Sequence, residues 1–233
     1  GLMMQKIAIA RATSRGLVRR RSALLLLTVL PLAFYLARRD VTHSAIVVLA
    51  LGLGWAAAML SLFSTVNALE LDHRLRVAGF SARSILLGRI LAISSMGLAL
   101  MVGYLVLAVV DQDVTRLGGV ALMMLCALLV GVPLGITVGL VLKRELEGAS
   151  ALIILLATQF MTDPERPVAH WLPLWSVRGV ADWALDLKDR TFLVDGLAHA
   201  GATLALLSLV IAGFSALRLR IHRYRPLTSS WSD

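Results

Sequence analysis

The sequence predicts an all-α membrane protein, with six transmembrane helices preceded by an amphipathic surface helix, forming one domain over residues 1–233. Three observations carry that prediction. Hydrophobic residues make up 58% of the chain and charged residues 16%, an apolar excess over the roughly 45–50% of ordinary soluble domains. The apolar residues gather into six runs separated by charged stretches. The basic residues concentrate on one set of the intervening loops, as they do on the cytoplasmic side of membrane proteins.

Residues 1–21 set Lys6, Arg11, Arg15, Arg19, Arg20 and Arg21 against Ile7, Ala8, Leu17 and Val18. This basic, weakly amphipathic pattern predicts a helix lying along the inner membrane surface. No small-residue cleavage site follows it, so it does not read as a removable signal. The six runs are 22–37, 44–69, 84–110, 118–142, 148–161 and 196–217. A crossing needs about 20 residues, so four runs are comfortable and the first and fifth are short. The first borrows from its flanks, and the fifth is expected to start near Glu147 and end near Thr162.

Between the second and third runs lies a charge-bearing elbow. Leu71, Leu75, Ala78 and Ala82 share one side of a helix, with Asp72, Arg76 and Arg83 on another. Gly79 can end that helix, Phe80 then projects as an apolar knob, and Ser81 is a good N-cap for a helix starting at Ala82. The predicted form is helix, corner, helix, with a plain solvated loop as the alternative. The fourth run carries Gly131, Gly135 and Gly139 at four-residue intervals, a ridge that lets another helix approach closely, and Pro133 predicts a kink there. Residues 162–195 are too polar to span. They hold Pro164, Pro167 and Pro173 with Trp171, Trp175 and Trp183, and tryptophans favour the headgroup level. One or two short helices dipping into the outer leaflet are expected, including an amphipathic one over 177–187; a surface cap is the other reading.

With the N-terminus inside, 16 of the 23 Lys and Arg residues fall in cytoplasmic parts, so both termini are placed inside. This distribution accounts for the net charge of +9 without nucleic acid as a partner. The 20 Arg against three Lys fit a GC-rich, bacterial genome. Cys126 lies inside an apolar run, which excludes a disulfide framework or a cysteine metal site. The histidines at 43, 73, 170, 199 and 222 have no metal-ligand spacing, and neither H-E-x-x-H nor a phosphate-binding G-x-x-x-x-G-K-[ST] loop occurs. Charge is almost absent from the spans. Arg89 is the exception, near the inner start of the third, where it can snorkel. Proton- or sodium-coupled transporters usually need an intramembrane ionisable group or unwound helices, so the energy source is expected outside this chain. Ser61, Ser64, Thr65 and Asn67 in the second span and Thr158 and Gln159 in the fifth are the candidate lining of a pathway, or else helix-packing hydrogen bonds. Ser81 with His199 offers an intramembrane protease-like alternative, but it puts the nucleophile in a cytoplasmic elbow. A non-transport scaffold is the third reading.

The stretch Glu70-Leu71-Asp72-His73-Arg74-Leu75-Arg76-Val77-Ala78-Gly79-Phe80-Ser81, followed by Ile85-Leu86-Leu87-Gly88-Arg89, resembles the coupling helix and span-three entry of type-2 ABC exporter permeases. Leu172-Pro173-Leu174 and the amphipathic piece after it are similar to that family's external segment. The resemblance implies a cytoplasmic coupling helix over 70–82, re-entrant external helices within 162–195, and a cell-membrane location. It also implies a pathway formed with a second identical or related permease. Two ATPase subunits would bind ATP and Mg²⁺, so no cofactor and no catalysis are expected in this chain. They would dock on Leu71, Leu75, Gly79 and Phe80, with Glu70, Arg74, Arg76 and Arg83 fixing the register. The weakly polar lining fits lipophilic or amphipathic cargo.

Overall fold

The computed structural model describes residues 21–68, 81–163, 166–186 and 188–218. Among them it contains seven α-helices and no strand: α1 (Arg21–Ala37), α2 (Thr42–Asn67), α3 (Ala82–Asp111), α4 (Leu117–Leu142), α5 (Glu145–Met161), α6 (Trp175–Ala184) and α7 (Arg190–Arg218). A short 3-10 helix, Pro167–Trp171, precedes α6. The expected surface helix over 1–21 and coupling helix over 70–82 lie almost wholly outside the described residues.

Local chemistry explains where the helices begin and end. Ser81 caps α3, its Oγ accepting from the Ser84 amide at 3.1 Å, which satisfies one of the amides a helix start leaves without a partner. At the other end of α4 the chain turns within two residues. Lys143 adopts the left-handed conformation (φ 57°), and its amide returns to the Gly139 carbonyl at 3.2 Å. Helix α5 then starts with Glu145 and Glu147 in its first turn, where the helix dipole favours negative charge.

Among the described residues four helices are long and apolar enough to cross a membrane: α2, α3 from Ser84, α4, and α7 as far as Phe214. This is the composition and architecture of a helical membrane protein. The four differ sharply in how the rest of the chain covers them. The apolar window of α2 is 89% buried and that of α7 only 17%. Helix α2 packs against α1, α3, α4, α5 and α6, whereas α7 rests on α4 and α6. The outer helices expose aliphatic residues along their length, among them Leu91, Leu98 and Val106 on α3 and Leu206 and Leu209 on α7. Such surfaces suit lipid, which is as apolar as leucine itself.

The central contact is α2 against α4, and it rests on the glycine ridge expected from the sequence. A Cβ at Gly131 would overlap the Gly54 carbonyl, and one at Gly135 would overlap the Ala58 carbonyl. At Gly139 the opposing group is the Thr65 side chain, 3.0 Å from where a Cβ would lie. The two backbones therefore touch, as small-residue ridges permit. Helix α4 stays continuous through Pro133.

The helices alternate in direction, so the connections gather at two ends. One end holds residues 38–41, 112–116, 162–163, 166–186 and 188–189, including the 3-10 helix and α6; the other holds 143–144 and the start of α3.

Candidate functional site

The first of these ends carries most of the polar interactions between distant parts of the described chain. Asp111, closing α3, is bound by Arg39, whose Nε donates to Oδ2 at 2.9 Å and whose Nη2 pairs with Oδ1. Tyr35 on α1 donates its hydroxyl to the same carboxylate at 2.7 Å. Thr42 donates to Gln112 Oε1 at 2.7 Å, and Gln112 Nε2 donates to the Arg39 carbonyl at 3.2 Å. The pairing with Asp111 holds the Arg39 guanidinium above its ordinary pKa. These bonds lock the ends of α1, α2 and α3 together.

The short helix α6 is fixed on its other side. Arg116 donates to the Trp183 carbonyl at 2.9 Å and sits over the Trp183 ring, 4.9 Å from its centroid. Arg178 donates from Nη1 to the Thr162 carbonyl at 3.0 Å and from Nη2 to the Gln159 carbonyl at 2.6 Å. It thereby satisfies carbonyls at the end of α5, where a cation also meets the helix dipole favourably. Trp175 packs between His170 and His199, and His199 Nε2 donates to the His170 carbonyl at 2.9 Å. The amphipathic helix expected over 177–187 is observed as Trp175–Ala184, starting two residues earlier and ending three earlier, and it is anchored on both sides.

Between α1, α2, α5 and α6 lies a half-open cleft of about 430 Å³. Its apolar wall includes Phe34, Val47, Val48, Leu51 and Phe160, and its charged side includes Arg38, His43, Arg178 and Asp182. This volume is within the range of small-molecule sites, roughly 300–1,000 Å³. The charges at its edge are mostly engaged. His43 Nδ1 donates to Asp186 Oδ1 at 2.7 Å, and Lys188 pairs with Asp182 at 3.0 Å. His43, Asp182 and Asp186 each bring one ligand-type atom within 4.8 Å of the others. With Lys188 paired to Asp182 and Arg178 nearby, the set serves to hold the end of α6, and the His43–Asp186 hydrogen bond ties α2 to the residues just after it. Arg38 differs: its guanidinium has no hydrogen-bond or ion-pair partner among the described residues.

Comparison with protein-family models and with curated proteins gives no match for this chain. The residues singled out in the sequence fall into separate groups. Glu70, Leu71, Arg74, Leu75, Arg76, Gly79 and Phe80 lie outside the described residues; Arg83 is in the first turn of α3. Ser61, Ser64 and Thr65 are 0%, 7% and 0% exposed, enclosed by the chain itself. Gln159, 2% exposed, shares a small enclosed space with Trp55 and Ala58. Asn67 is exposed and donates to the Phe63 carbonyl at 2.6 Å and to Glu145, which ties the ends of α2 and α5. Thr158 is exposed, with its hydroxyl donated to the Ile154 carbonyl at 2.8 Å. Ser81 serves as a cap and donates to Ser84 Oγ at 2.8 Å, while His199 is bonded at the opposite end of the bundle. The cleft itself could not be read from the sequence, because its polar residues come from positions 38–44 and 178–182 and neither stretch has a motif.

Proposed function

We propose that the chain is the membrane-spanning subunit of an ATP-driven exporter of the type-2 permease class, working as a pair and moved by separate ATPase subunits. The observation that carries this reading is the order of the helices. Two short helices, Pro167–Trp171 and Trp175–Ala184, stand between the fifth and sixth apolar helices at one end of the bundle, where that class has its external segment. Helices α1 and α5, at 17 residues each, reach the lower limit of a crossing, about 17–25 residues, so all six apolar helices are taken as spans. The basic bias puts residues 68–81 and 143–144 in the cytoplasm and the cleft outside.

In this mechanism the elbow between α2 and α3 receives the stroke of the ATPase. Helix α2 is the most enclosed of the spans, so motion delivered at its end reaches every helix packed on it. Asn67 and Thr158 are the exposed members of the candidate lining, and in this reading a second copy would complete the pathway beside them.

The test is extraction from the native membrane in gentle detergent, followed by assay of the purified complex. An ATP-hydrolysing subunit is expected to accompany the chain. Phe80→Ala should leave that subunit bound while separating hydrolysis from transport. Extraction of the intact chain with no ATPase refutes the reading; unchanged transport in Phe80→Ala with the ATPase bound removes the elbow as the point of transmission.

A further inference from the structure

We propose that the cleft between α1, α2, α5 and α6 binds an acidic phospholipid, with the phosphate at Arg38 and the first part of one acyl chain along the Phe34–Phe160 wall. The inference rests on the chain lying in a bilayer and not on its coupling to an ATPase.

The shape of the cleft is that of an amphiphile. On α2 the lining residues His43, Val47 and Leu51 follow at four-residue intervals, so they stack on one face of the helix and run for about 12 Å along it. The order along that face is polar, apolar, apolar. Helix α1 repeats it, with Arg38 at the edge and Phe34 one turn deeper. Phe34 and Phe160 close the far side, their ring centroids 6.1 Å apart. A ligand charged throughout would lose hydration against that wall, and a wholly apolar one would leave the charged edge unmatched.

The sign of the headgroup follows from which charges are already compensated. Asp182 is paired with Lys188, Asp186 with His43, and the Arg178 donors Nη1 and Nη2 bind carbonyl oxygens. Arg38 alone among the charges lining the cleft has no such partner in the described chain, and it is exposed. Its guanidinium fork suits phosphate oxygens, which it can hold with two parallel hydrogen bonds.

The experiment uses the full chain, delipidated in detergent and titrated separately with phosphatidylglycerol, phosphatidylcholine and inorganic phosphate, with bound ligand read by native mass spectrometry. Phosphatidylglycerol is expected to bind about tenfold more tightly than phosphatidylcholine: both offer a phosphate to Arg38, but the choline headgroup brings a cation, which Arg38 and Arg178 disfavour, and leaves the lipid without net charge. Inorganic phosphate alone should neither bind nor displace the lipid. Arg38→Gln, at an exposed position, should abolish the preference, and Ala37→Trp, also exposed, should narrow the mouth and weaken both lipids. Equal binding of the two lipids, an Arg38→Gln variant with its preference intact, or displacement by inorganic phosphate overturns the proposal. The result is independent of any ATPase, so its failure is distinguishable from failure of the exporter reading.

Discussion

Replacing Gly135 by alanine adds one methyl group at the tightest point of the α2–α4 contact. The added Cβ would meet the Ala58 carbonyl oxygen, carbonyl carbon and Cα, with no flexible side chain to give way. The helices must separate along the ridge, and overpacking of this kind costs about 2–3 kcal/mol. For a chain of this size that lowers the thermal midpoint by about 5–10 °C. The reference is Gly103→Ala, in the interior of α3, where a Cβ has nothing within 4 Å. That change should be neutral or slightly stabilising, because alanine favours the helix by about 1 kcal/mol. Gly139→Ala should fall between them, since it meets a threonine side chain. The assay is detergent-solubilised protein heated in steps and scored for the folded peak by size-exclusion chromatography. A Gly135→Ala protein as stable as Gly103→Ala refutes the backbone contact. Ala58→Gly should not rescue it, because the obstructing atoms belong to the main chain.

Other perturbations test the remaining joints. Ser81→Ala removes the α3 cap, should cost about 1 kcal/mol, and should speed hydrogen exchange at the Ser84 amide while leaving α7 unchanged. Asp111→Ala takes the common partner from Tyr35 and Arg39 and should lower the thermal midpoint in the same heating assay, and Tyr35→Phe, which leaves the Arg39 pair in place, should lower it less. Lys143→Gly relieves the left-handed residue at the α4–α5 turn and should raise stability by up to about 1 kcal/mol. A cysteine at position 80, placed in a Cys126→Ser background, should resist an impermeant thiol reagent in intact cells and react after lysis. Labelling in intact cells would invert the proposed orientation.

The positions of the helices were largely legible, because apolar runs and caps are local signals. Ser81 and the start at Ala82 were readable from one hydroxyl before a helical pattern, and the glycine spacing announced the ridge on α4. Helix starts rich in polar residues were not. Helix α7 begins at Arg190 rather than at residue 196, since Arg190, Thr191 and Asp195 flank the short apolar stretch Phe192-Leu193-Val194 and cut it off from the long apolar run. Which helix occupies the centre was equally hidden: α2 and α7 both read as apolar spans, and in a membrane the interior and the lipid-facing side have similar composition. The cleft and the knot at Asp111 depend on residues more than 70 positions apart, and their convergence comes from the packing of α2 rather than from any nearby sequence.

The main-chain contact between α2 and α4 has a mechanical consequence. Two rods touching backbone to backbone have no cushion of side chains to shear, so they travel as a single beam. Any relative movement within the bundle would carry that beam whole and take its bending from the helices packed around it.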